Sequence, residues 1–160
     1  TPAPDTVDIA LANSTMTKSV LVMGAPTNDI SIAACLDTDA ISAVGTYAAA
    51  RTASRKVFCT LMPRTNAGGG GNRNTAQFQT VRASYNDLAQ STFGPLGYFV
   101  ADIGRDATIG VSGAASNSAV FPDGTHLSDA GEPIYTRIID DAVSPRGRRK
   151  LINRIASWRR

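Results

Sequence analysis

The chain has 160 residues, 42% of them hydrophobic, and sixteen Lys and Arg against thirteen Asp and Glu give a formal net charge of +3. That is enough chain to bury one core, and it contains none of the runs of about 18 apolar residues that a membrane-spanning helix needs. One histidine and two scattered cysteines, Cys35 and Cys59, argue against a zinc site and a disulfide framework, so neither metal nor cofactor is expected.

In chain order, Thr1-Pro2-Ala3-Pro4-Asp5 lacks the basic and apolar regions of a signal peptide. With no initiator methionine, a mature or trimmed chain is expected. Residues 7 to 13 form a short apolar stretch that suits helix or strand. Residues 18 to 24 predict a buried strand around Val20-Leu21-Val22-Met23. Residues 38 to 54 predict a helix, with Ile41, Val44, Tyr47 and Ala48 on one face. Residues 56 to 62 predict the next strand, which would bury Cys59. Arg64 through Asn74 is a loop beside the site. Its Gly68-Gly69-Gly70-Gly71 run lacks the lysine and serine of a phosphate-binding loop. Residues 75 to 91 predict a second helix, turning Phe78, Val81, Tyr85 and Leu88 to the core. Residues 97 to 103 predict a strand ending near Asp102, whose expected role is structural. A long polar loop over 104 to 122 then leads to a third helix over 127 to 142. This alternation implies an α/β fold, a parallel sheet covered on both faces, with its site beyond the carboxyl ends of the strands.

The tail differs from the body. Residues 146 to 160 hold seven basic residues and no acid; the remaining nine basic and thirteen acidic residues leave the body at −4 and the tail at +7. Leu151, Ile152, Ile155 and Trp158 recur at helical spacing, and Pro145 separates this segment from the preceding helix. Residues 1 to 144 are therefore expected to form the domain and 145 to 160 a basic amphipathic tail. The tail suits docking on protein, its own or a partner's, more than nucleic acid or membrane.

His126, the single histidine, stands in Asp123-Gly124-Thr125-His126-Leu127-Ser128-Asp129-Ala130-Gly131. An aspartate three residues before a histidine can hold its ring in one tautomer, leaving the other nitrogen as a general base. Pro122, Asp123 and Gly124 favour a turn, and Thr125 or Ser128 is placed to cap a following helix. The competing reading is a surface histidine beside a turn aspartate.

This block resembles the last conserved block of the SGNH (GDSL-type) hydrolases. Val20 to Ile30, an apolar strand running through Gly24 into Asn28-Asp29, resembles the family's third block. Between them, Val57 to Pro63 and Tyr85 to Leu88 resemble a family strand and the helix after it. The resemblance covers roughly residues 17 to 142. It implies a three-layer α/β/α fold, with Asp123 and His126 as the catalytic pair and Asn28 as a donor to the oxyanion. The Gly-Asp-Ser nucleophile block and the block with the second oxyanion donor are missing. Only 23 residues precede Gly24, too few for the family's first strands. Ala12-Asn13-Ser14-Thr15 echoes the nucleophile block, making Ser14 a candidate against its reading as a polar loop serine. Pro26 stands two residues before Asn28, where the family has glycine.

Two functions follow from the resemblance. One is a serine ester hydrolase acting on acyl or carbohydrate O-acetyl esters, its nucleophile supplied by a partner segment or chain. The other is a degenerate SGNH fold kept for binding or structure in a cell-surface or phage virion protein. The sequence does not fix a location, and an extracellular or virion-associated setting is favoured over a cytoplasmic one. A third possibility is an assembly module acting through the basic tail.

Overall fold

The computed structural model describes residues 20–24, 26–31, 33, 35–51, 53, 55–65 and 75–144. The stretch 7–13, Ser14, the glycine run and the basic tail lie outside the described residues. Strand β1 (Val20–Met23) is followed by the short helix α1 (Thr27–Ser31) and by α2 (Asp37–Ala49). Then come β2 (Arg55–Cys59), α3 (Thr75–Phe93), β3 (Phe99–Ala101) and α4 (Glu132–Val143). The three strands form a parallel sheet in the order β1-β2-β3, with Val22 opposite Val57 and Val57 opposite Phe99.

Strand alternation sends successive side chains to opposite faces. Phe58 joins Leu21 and Met23 in a core with Phe78, Tyr85, Ala89 and Phe93 of α3 and Ala40, Ile41 and Ala48 of α2. Its ring stacks on Phe93 with centroids 3.5 Å apart and on Tyr98 at 5.4 Å. Val57 and Cys59 point the other way, into a second core with Ala101, Ile103, Ile109, Val120 and Phe121, against which Ile134, Tyr135, Ile138 and Ile139 of α4 pack. Helices therefore cover both faces of the sheet, and the chain is a mixed α/β domain as expected.

Several boundaries differ from those expected, each for a local reason. The helix expected to reach 54 ends at Ala49, where the Arg51 N–H bonds back to the Ala48 carbonyl in a tight closing turn. The strand expected to run to 62 ends at Cys59. Beyond it, the Asn86 side chain takes both the N–H and the C=O of Leu61, at 2.7 and 3.0 Å, in place of a neighbouring strand. The strand expected over 97–103 keeps only Phe99–Ala101, because Ile103 starts a 3₁₀ turn. The last helix begins at Glu132 rather than 127, since Pro133 is tolerated only in a first turn. Neither Thr125 nor Ser128 caps it by a side chain. Asp102 accepts from Thr60 and Arg105 at 3.5 Å, a structural role.

Cys59 is buried, Cys35 is half-buried, and neither forms a disulfide. No described helix is long and apolar enough to cross a membrane.

Candidate functional site

After Val120 and Phe121, both buried in the second core, the chain turns outward through Pro122 and Asp123. Gly124 adopts a φ of +73°, a conformation costly for any residue with a Cβ. A Cβ there would lie 1.8 Å from Thr65 Oγ1. The close approach is used, because the Thr65 N–H donates to the Gly124 carbonyl at 2.8 Å. On the far side Ser128 Oγ donates to the Ala119 carbonyl at 2.7 Å, and its N–H donates to Val120. The turn is thus fixed at three points, and His126 projects from it.

The Asp123 carboxylate organises the turn from within. Oδ1 accepts from the N–H groups of Thr125 and His126 at 2.9 and 2.7 Å. Oδ2 lies 2.6 Å from His126 Nδ1. These hydrogen bonds, the imidazole's first and the two backbone donors after it, hold the Asp123 carboxyl well below the usual carboxylate range. In the neutral ring with Nδ1–H donating to this carboxylate, Nε2 carries the lone pair. Among the described residues Nε2 has no hydrogen-bond partner. The expected orientation of His126 by Asp123 is present in the geometry, although both side chains are largely exposed, at 78% and 55%.

His126 and Thr125 line a cleft of about 370 Å³ together with Thr27, Asn28, Asp29, Met62, Pro63 and Arg64. The cleft lies beyond the carboxyl ends of β1 and β2, where a parallel sheet places its ligands. Asn28 sits in the first turn of α1, which Pro26 enters by accepting the Ile30 N–H at 3.1 Å. The sequence thus anticipated two of the wall residues, Asn28 and His126, and their meeting at one sheet edge; Pro63 was expected only at the end of a strand. Asp123 stands behind His126 rather than in the wall. Ser14 lies outside the described residues.

Arg64 was missed. The sequence signal for it was its place at the start of the loop expected beside the site, just past the strand expected over 56–62. Its Nη1 donates to the buried Ser31 Oγ at 2.9 Å, its guanidinium lies 5.8 Å from the Phe78 ring centre, and its carbonyl accepts from Gln79 Nε2 at 2.8 Å. Burial lowers its pKa and the Asp123 charge raises it in part, yet arginine stays protonated at any working pH. The segment leading to it is held by α3. Besides Asn86, the buried Arg82 donates to the carbonyls of Leu61 and Gly110 at 3.2 and 3.0 Å.

A larger, more open groove of about 590 Å³ runs along α4, lined by Asp129, Glu132, Pro133, Thr136, Arg137, Asp140 and Asp141. Arg137 there is paired with Asp106 and Asp141. The lining residues include neither an imidazole nor an apolar wall of any size, so the smaller cleft is the chemical candidate. No group of three His, Cys, Asp or Glu suited to a metal ion occurs among the described residues.

No family model, curated protein or solved structure matches this chain. The functional reading therefore rests on the cleft's geometry together with the sequence resemblance.

Proposed function

We propose that the cleft is the acid–base and oxyanion-binding part of an SGNH-type serine ester hydrolase whose nucleophile comes from outside the described residues. The observation that carries this reading is His126, held 2.6 Å from Asp123 on a fixed turn and lining one cleft with Asn28. In this scheme His126 Nε2 takes the proton of a serine as its oxygen attacks an ester carbonyl. Asp123 keeps the ring in the Nδ1–H tautomer and stabilises the imidazolium. Asn28 is exposed, with no side-chain partner among the described residues, and donates to the oxyanion; losing such a donor costs about 3 kcal/mol of transition-state stabilisation. Ser14 or a serine of a partner chain supplies the nucleophile. The basic tail, +7 beside a body of −4, is assigned to docking on a protein surface.

A second reading is a non-catalytic binding module of the same fold. It draws on the lack of any hydroxyl partnering His126 among the described residues and on Pro26 in place of a glycine. Labelling the native protein with a fluorophosphonate, followed by denaturing mass analysis, separates the two. Hydrolase function predicts a labelled serine, on this chain or a co-purifying one, and at least about a hundredfold slower labelling in His126→Ala. An unlabelled sample with no companion chain would leave the binding module.

A further inference from the structure

Arg64 shares with Arg55 a neutral acceptor and a facing ring, but it alone of the two lines the cleft, and its partners differ from those of Arg82, Arg105 and Arg137. The exposed Arg105 reaches Asp87 at 3.2 Å and Asp102 at 3.5 Å, and Arg137 reaches Asp106 at 3.5 Å. The buried Arg82 spends its donors on two carbonyls and on Gln79 Oε1 at 2.7 Å. Arg64 is half-buried in a cleft wall, and among the described residues only its Nη1 has a hydrogen-bond partner, the neutral Ser31 hydroxyl. No carboxylate lies within ion-pair distance of it among those residues, although Asp29 lines the same cleft. The Phe78 ring, the Ser31 hydroxyl and the Gln79 amide fix the guanidinium and its backbone. A planar donor fork held ready, with no carboxylate in direct contact and only the charge of Asp123 acting on it from farther off, is suited to bidentate capture of one.

We infer that Arg64 anchors an ionised carboxylate of the cleft's ligand, so that the substrate is a small ester bearing a second, free carboxylate. The choice of an ester rests on the hydrolase reading above; the carboxylate does not. A cleft of about 370 Å³ is at the small end of ligand sites, which suits a half-ester of a dicarboxylic acid or an acylated hydroxy acid. In the first the carboxylate is on the acyl side of the ester, in the second on the alcohol side. Asp29, in the cleft wall, and Asp123, whose charge acts on Arg64, oppose this charge and limit the affinity.

The test is a titration of ¹⁵N-labelled protein, at constant ionic strength, with monomethyl succinate, O-acetylglycolate and the neutral dimethyl succinate. The expected result is movement of the Thr65, Asn28 and His126 amides, with roughly tenfold tighter binding of at least one anionic ester than of the neutral one. Which anionic ester binds tells on which side the carboxylate sits. Arg64→Gln should abolish the preference, Arg64→Lys should keep part of it, and Asp29→Asn should strengthen it. Equal binding of charged and neutral esters, or a preference that survives Arg64→Gln, would overturn the inference. Should Arg64→Gln fail to fold, an Asp29→Asn protein with no gain in anion binding overturns it as well. Anion preference without fluorophosphonate labelling would sink the hydrolase reading alone; labelling without anion preference would sink only this inference.

Discussion

Asp123 shows how one carboxylate does two jobs at the residue scale. It accepts three N–H donors, two from the backbone and one from the imidazole, and its pKa is depressed accordingly. A depressed folded pKa means that Asp123 stabilises the fold above the unfolded value of about 4, and that this contribution is lost as the pH falls through the folded value. Asp123→Asn should therefore be less stable than the parent at pH 7, and the gap should close as the pH drops below about 4. Urea unfolding across that range measures it, and a pH-independent gap would contradict the assignment. Glycine at 124 is fixed by two requirements that the sequence shows only as a turn signal. Gly124→Ala meets both the positive φ and Thr65, while Gly113→Ala meets a φ of +91° with open space around it. The first should cost about 3 kcal/mol and the second about 1 kcal/mol, read from denaturant midpoints.

At the scale of elements, the cleft depends on α3 without α3 lining it. The stretch from Leu61 to Arg64 leaves the sheet, and its polar backbone is satisfied by Asn86, Arg82 and Gln79. Asn86→Ala would orphan the N–H of buried Leu61 and should cost about 2 kcal/mol or more. A Cβ at Gly104 would fall 2.1 Å from Asn86 Nδ2, so Gly104→Ala should disturb the same clamp. Thermal unfolding of both variants, with the double mutant to reveal coupling, checks this. The sequence disclosed the elements better than their ends. Val20–Met23 and Arg55–Cys59 are carried by hydrophobic runs, and Thr75–Phe93 by helical spacing. The end of β2 is decided by a side chain 25 residues away, which no local pattern contains. Pro133 did hold the signal for the true start of α4, as a residue barred from a helix interior. Asp123 and His126 were legible because three-residue spacing is local; Arg64 was not, because its significance comes from Ser31, Phe78 and Gln79, brought to it by folding.

For the molecule as a whole, β2 is the centre. It pairs on both sides and contributes to both cores. Cys59 sits at its end, its thiol pushed up to about 11 mainly by burial, so thiolate is scarce at neutral pH. Half-buried Cys35 should react with a disulfide reagent in the native protein, and Cys59 only when the sheet opens. A thiol assay should show two phases, the slower accelerating with denaturant; two equally fast thiols would mean that the sheet opens locally. The cleft itself is assembled from Thr27–Asp29, Met62–Arg64 and Thr125–His126, three stretches far apart along the chain that meet only in the folded state. Any compound that occupies it is therefore paid for by folding, and at a hundred times its dissociation constant it raises the unfolding free energy by about 2.7 kcal/mol. The melting temperature thus becomes a gauge of occupancy that needs no turnover, and libraries of small acids and esters can be ranked on this protein by heat alone.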